Sequence, residues 1–196
     1  MTVDALGSAR VKGLLADGQA WSPVALLSAN GHWPLYVSLD RKLGALIGWL
    51  QLSNAVSNAI SGTLTWIKPP VAPHFTNGIT AELDIDGSRY LSPSAVNHIL
   101  VWTNGLLQLA GGNLPAALTN DVIITPLGKF TDRGGSITNL KFSFTPKTGL
   151  FNGSFRHPSS SRTTKFHGAL LQDRNSGGGF FLGTNQGGVL RLDAAP

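Results

Sequence analysis

Cysteine is absent from the chain. Its absence excludes a disulfide scaffold, a cysteine nucleophile, thiolate-held zinc and iron–sulfur clusters. The compartment stays open, because a large exported bacterial domain can fold without disulfides. Glutamate is almost missing: Glu82 stands alone beside nine aspartates. Charged residues are only 13% of the chain, about half the usual share. No apolar run reaches the ~18 residues of a membrane-spanning helix, so no membrane span is expected. The opening Met1-Thr2-Val3-Asp4-Ala5-Leu6-Gly7 has no basic region followed by an apolar stretch, so it does not read as a signal peptide. Long helical periodicity is lacking as well. Only 53–60 and 113–120 have any helical claim, the second with Pro115 in a first-turn position.

What remains is a basic, glycine-rich chain of 196 residues with a net charge of +5. That length buries about 70% of the unfolded surface without a metal or disulfide staple. A basic chain invites a nucleic-acid reading. Yet its cations are spaced singly, with Arg41-Lys42 the lone adjacent pair, whereas phosphate-tracking surfaces are clustered. No specific nucleic-acid partner is expected.

Short apolar runs alternate with turn signals. Asp17-Gly18, Asn30-Gly31, Asn77-Gly78, Asp86-Gly87, Asn104-Gly105 and Asn152-Gly153 all tolerate the positive φ of tight hairpins. Period-two alternation is plain in Ala81-Glu82-Leu83-Asp84-Ile85-Asp86 and in Lys141-Phe142-Ser143-Phe144-Thr145, which marks strands with one wet and one dry face. Strands are expected near 9–16, 19–28, 33–40, 44–52, 61–68, 78–86, 97–103, 106–110, 121–125, 137–145, 150–157, 163–172, 178–184 and 187–192. The fold class is therefore all-β: an antiparallel barrel or two-sheet sandwich of 12–14 strands. We read a single domain over 1–196. A sparse repeat at an offset of 140 pairs Gly13 with Gly153, Gly48 with Gly188 and Leu50 with Leu190. It leaves an internal duplication open, with halves near 9–52 and 150–192 joined by 61–145. Strand glycines such as Gly44, Gly48, Gly177, Gly183 and Gly188 mark bends or close backbone approach, which strongly curved sheets need. Ser176-Gly177-Gly178-Gly179 is read as a hairpin tip. No Gly-Lys-Ser/Thr follows it, as a phosphate loop would require.

Chemistry-bearing patterns are few. No Gly-x-Ser-x-Gly elbow occurs. Glu82, Asp84 and Asp86 share one strand face with neighbours about 7 Å apart, a separation glycosidases use. Three like charges in one row are more often a solvated surface. His32, His74, His98, His157 and His167 show no metal-ligand spacing. No catalytic residue, metal or cofactor is assigned. The aromatic signal is stronger, with five tryptophans beside two tyrosines. Trp49 and Trp66 lie in strong strands and are assigned to the core. Trp33 and Tyr36 follow the Asn30-Gly31 turn. With Trp21, they are the expected ligand contacts, as flat rings that stack on sugars.

Several motifs also share an order with a known class: Leu15-Ala16-Asp17-Gly18, Gly31-His32-Trp33-Pro34-Leu35-Tyr36, Gly44 to Leu50, Leu64-Thr65-Trp66-Ile67-Lys68, Gly87-Ser88-Arg89-Tyr90, Thr148 to Phe155, and Gly168-Ala169-Leu170-Leu171-Gln172 with Gly179 to Thr184. Their order resembles a glycine-rich all-β module of very large secreted or surface proteins of environmental bacteria. That resemblance implies export as part of a longer multi-domain chain and an extracellular or cell-surface location. It implies no catalytic residues. The expectation is a non-catalytic binding or structural module engaging carbohydrate or a cell-surface polymer. The alternatives are a small hydrolase (esterase or glycosidase) at a barrel mouth and a lipocalin-like small-molecule carrier.

Overall fold

The structure is a computed structural model and describes residues 1–53, 59–71, 74–94 and 97–196. It is all-β, with 56% of the chain in strands that pair antiparallel. The chain packs as two compact units, Met1–Ser88 and Arg89–Pro196. Their junction falls inside the segment assigned to join the two halves. Eleven of the described strands match an expected segment, among them those at 33–40, 44–52 and 163–172. The helical claim on 53–60 lies largely outside the described residues. The one on 113–120 fails: Asn113 enters a turn with positive φ and Leu118 already begins a strand.

The first unit opens with short strands, β1 (Thr2–Val3), β2 (Ser8–Arg10), β3 (Gly13–Leu14), β4 (Ala20–Trp21) and β5 (Val24–Leu26). A four-stranded meander follows: β6 (His32–Leu39), β7 (Gly44–Leu52), β8 (Ile60–Lys68) and β9 (Ile79–Gly87), in that order across the sheet. Alternation sends Trp33, Leu35, Leu39, Leu46, Leu50, Leu64 and Trp66 to one face, where Ala9 and Leu15 from the opening segment complete the core. The same parity carries Lys68 inside, two residues beyond Trp66. Its ammonium meets Asp17 at 2.8 Å and Asp40 at 2.9 Å, all three side chains nearly buried. Burial, the largest single influence, pulls the Lys68 pKa down. The hydrogen bonds and charges of Asp17 and Asp40 together outweigh it, and the net shift is upward. The cluster ties the Asp17-Gly18 turn to the β6–β7 connection, where Asp40, Arg41 and Lys42 all have positive φ (48°, 58° and 77°).

The second unit contains β10 (Asn104–Gly111), β11 (Leu118–Ile124), β12 (Phe130–Gly135), β13 (Lys141–Thr145), β14 (Leu150–Arg156), β15 (Thr163–Leu171), β16 (Ser176–Leu182) and β17 (Gly187–Ala194). They form one eight-stranded sheet ordered β12-β11-β10-β17-β16-β15-β14-β13, so curled that it is nearly a closed barrel. The edges β12 and β13 meet through side chains and the intervening loop. Phe130 stacks on Phe142 at 4.1 Å. Buried Asn120 donates to Asp132 and to the Ile137 carbonyl, and its Oδ1 accepts from the Ile137 N–H at 2.7 Å. Segment 97–103, expected as a strand, is irregular, and β12 was not foreseen.

The glycine content has a specific use here. Phe151 stands directly across from Gly168, Phe166 from Gly153 and Phe181 from Gly188 in the strand register. Each ring lies over its glycine, where a Cβ would overlap it. The first unit repeats the device with Trp21 over Gly13. A strand glycine left bare weakens a sheet; an aromatic laid across it restores the buried contact. The rings fill the barrel, with Phe151, Phe155, Phe166 and Phe181 fully buried among Leu107, Leu109, Leu190 and Leu192. For the same reason Asn104-Gly105 and Asn152-Gly153 lie within strands, not at turns. The Ser176–Gly179 segment is likewise the start of β16, and the hairpin tip is 172–175. The two sheets also share a hairpin, strand to Asp-Arg turn to glycine-led strand. It relates Asp40 to Asp173 and Gly44 to Gly177 at an offset of 133, seven short of the offset read from the sequence.

Candidate functional site

Alternation along β6 to β9 gives the meander a second face, pointing away from its core. Register defines its rows. His32, Gln51, Ser61 and Asp86 form one. Pro34, Trp49, Thr63 and Asp84 form the next. Tyr36, Ile47, Thr65 and Glu82 form a third, followed by Ser38, Ala45, Ile67 and Thr80. The face is therefore graded across its strands. Rings and aliphatic groups occupy β6 and β7, hydroxyls occupy β8, and carboxylates line the edge strand β9.

Tyr36 is 65% exposed and Trp49 is 61% exposed. They sit diagonally across the β6–β7 pair, about 7–8 Å apart at Cα. Ile47, directly opposite Tyr36, is also exposed. The result is an apolar plate continuous with a strip of Thr63 and Thr65, then with Glu82 and Asp84. Flat rings offer stacking area with little side-chain entropy to lose, and the adjoining hydroxyl and carboxylate groups supply hydrogen-bonding capacity.

The three expected contact residues do not share this face. Trp33 is fully buried (0% exposed), and its indole N–H donates to the Ala25 carbonyl at 3.2 Å. That corrects its assignment as a ligand contact. The reason is parity: Trp33 and Tyr36 are three apart on one strand, so they point to opposite sides. Trp21 is half-buried, packed over Gly13 and against the core. Tyr36 alone is outward and open. Trp49, assigned to the core, is instead the second exposed ring. Trp66 is in the core, edge-on to Phe75 at 5.4 Å.

The carboxylates Glu82, Asp84 and Asp86 do occupy one exposed face of β9. They form a single open row, not a pair facing each other across a cleft as glycoside hydrolysis uses. Among the described residues no group of three His, Asp or Glu side chains could hold a metal ion. Among the same described residues no helix is long and apolar enough to cross a membrane. In the second unit Tyr90, whose hydroxyl donates to the Pro146 carbonyl at 2.6 Å, has its pKa raised by burial. No protein family, curated protein or solved structure matches this chain.

Proposed function

We propose that the chain is a non-catalytic binding module of an exported bacterial surface protein, and that it engages polysaccharide through the outer face of β6–β9. Tyr36 and Trp49 stack on sugar rings. Thr63, Thr65 and the β9 carboxylates take hydroxyl groups. The observation that carries the reading is the pair of exposed rings in one register-linked patch on a regular sheet. Leaving a large apolar side chain in water forgoes roughly 1.5–3 kcal/mol of burial, and contiguous exposed apolar patches mark interaction surfaces. The ligand class that suits a flat plate bordered by hydroxyls is a glycan whose rings present flat apolar faces, such as a β-linked glucan or xylan. The filled interior of the second unit also favours a surface site over a carried small molecule.

Tryptophan fluorescence titration with soluble β-glucan and xylan tests the reading. Binding should perturb Trp49 emission. Replacing both Tyr36 and Trp49 by alanine should weaken affinity, read by calorimetry because the reporter ring is gone, at least about tenfold while the melting temperature holds. Unchanged affinity in that variant would sink the assignment.

A further inference from the structure

The second unit has a charge asymmetry of its own. Between 133 and 172 the chain carries Arg133, Lys141, Lys147, Arg156, Arg162 and Lys165 and not one aspartate or glutamate. Spaced singly in sequence, these cations look dispersed. Strand register gathers several of them. Lys141 on β13 pairs with Ser154 on β14, which pairs in turn with Lys165 on β15. The two lysines therefore lie in one row across three strands, about 10 Å apart at the backbone. The next row is Ser143, Asn152 and His167, and Arg156 opposite Thr163 flanks the other side. The intervening Phe142, Phe151, Phe155 and Phe166 all turn inward to the core, so these polar residues share the outer surface.

Two open depressions mark that surface. One depression is lined by Lys141, Ser143, Asn152, Ser154, Lys165 and His167. A second, lined by Asn139 and Thr163 among others, shares Lys141 and Ser154 with the first. Together they make one trough across β13–β15 with cations at its sides and hydroxyl and amide groups between them.

We propose that this trough is an anion-binding site for the acidic groups of a polysaccharide bearing carboxylate or sulfate. Cations about 10 Å apart, on three strands that carry no aspartate or glutamate, repel over a distance close to the screening length at 0.1 M salt. A polyanion laid along the trough relieves that repulsion. Ser143, Asn152 and Ser154 match the neutral hydroxyls between its charges. A nucleic acid fits less well. Single strands are held largely by stacking on exposed rings, and the phenylalanines of β13–β15 face inward. Duplex binding draws on roughly 6–10 phosphate contacts, more than this trough offers. The site uses none of the residues of the β6–β9 face and does not depend on it.

The test is calorimetric titration of the full chain with alginate, dextran and duplex DNA at low salt. Wild-type protein should bind alginate but not dextran here. Replacing Lys141 and Lys165 together by alanine should weaken alginate binding by about tenfold or more, and replacing both by arginine should keep it within about threefold. The Tyr36→Ala/Trp49→Ala protein should bind alginate as wild type does. The proposal is overturned if the alanine pair binds alginate normally, or if loss instead follows the Tyr36 and Trp49 replacements. It is equally overturned if duplex DNA binds tighter than alginate, which would make the trough a nucleic-acid surface.

Discussion

Two glycines of one sheet should respond to alanine with opposite sign. Gly188 lies across from Phe181, and a Cβ there would overlap the ring. Phe181 is fully buried and held edge-on by Phe155 at 5.2 Å, so the ring has no room to withdraw. Overpacking of a close-packed core costs about 1–3 kcal/mol. Gly178, on the neighbouring strand, has nothing within 4 Å of its would-be Cβ and no positive φ. Alanine there removes unfolded-chain freedom and should stabilise by about 0.4–1 kcal/mol. The assay is urea unfolding read by hydrogen exchange on peptides from 176–194, which reports the second unit by itself. With a slope of about 1–1.5 kcal/mol per molar urea for a unit this size, Gly188→Ala should lower the midpoint by roughly 0.7–3 M. Adding Phe181→Leu should recover part of that loss, because the two changes share one space. Equal midpoints for Gly188→Ala and wild type would refute the idea that each ring occupies its glycine's missing side chain.

Other consequences are open to measurement. Lys68→Met leaves Asp17 and Asp40 buried without their cation and should destabilise the first unit by about 3–5 kcal/mol. Adding Asp17→Asn and Asp40→Asn should restore most of it; denaturant midpoints of the two proteins decide the matter. Because folding holds the Lys68 proton more tightly than the unfolded chain does, the cluster's contribution is whole below the ordinary lysine pKa. It declines as pH rises through the raised one. Melting curves of wild type should therefore fall in that alkaline range more steeply than those of the triple variant. Asn120→Ala removes the side chain that bonds both the N–H and the carbonyl of Ile137, and should cost about 2–3 kcal/mol in the same hydrogen-exchange assay. Arg41→Gly relieves a left-handed backbone at φ 58° and should raise first-unit stability by about 1 kcal/mol.

Much of the fold was legible because strands of one wet and one dry face announce themselves by alternation. β9 and β13 show it plainly. The Asp17-Gly18 and Asn30-Gly31 pairs do make turns, but Asn152-Gly153 does not. A local turn propensity was overridden there by Phe166 across the ladder, and a long-range partner is invisible to a local pattern. The binding face was half legible. In Gly44-Ala45-Leu46-Ile47-Gly48-Trp49-Leu50 every residue is apolar, so parity could not tell which side Trp49 takes. Only pairing with β6 and β8 fixes it. Trp33 was a different case: its odd spacing from Tyr36 already put the two rings on opposite sides. Lys68 was readable by the same rule, since Leu64, Trp66 and Lys68 share one parity. A buried lysine implies a carboxylate partner, though not which one. The cationic trough was hidden because its members come from three strands and gather only in the folded register.

The most direct check on the β6–β9 face is oxidative footprinting with and without a saturating β-glucan. The account predicts that Tyr36 and Trp49 are oxidised in the free protein and protected by the polymer, while buried Trp33 resists oxidation in both states. Tyr36 and Trp49 oxidised equally with and without a polymer that demonstrably binds would contradict it.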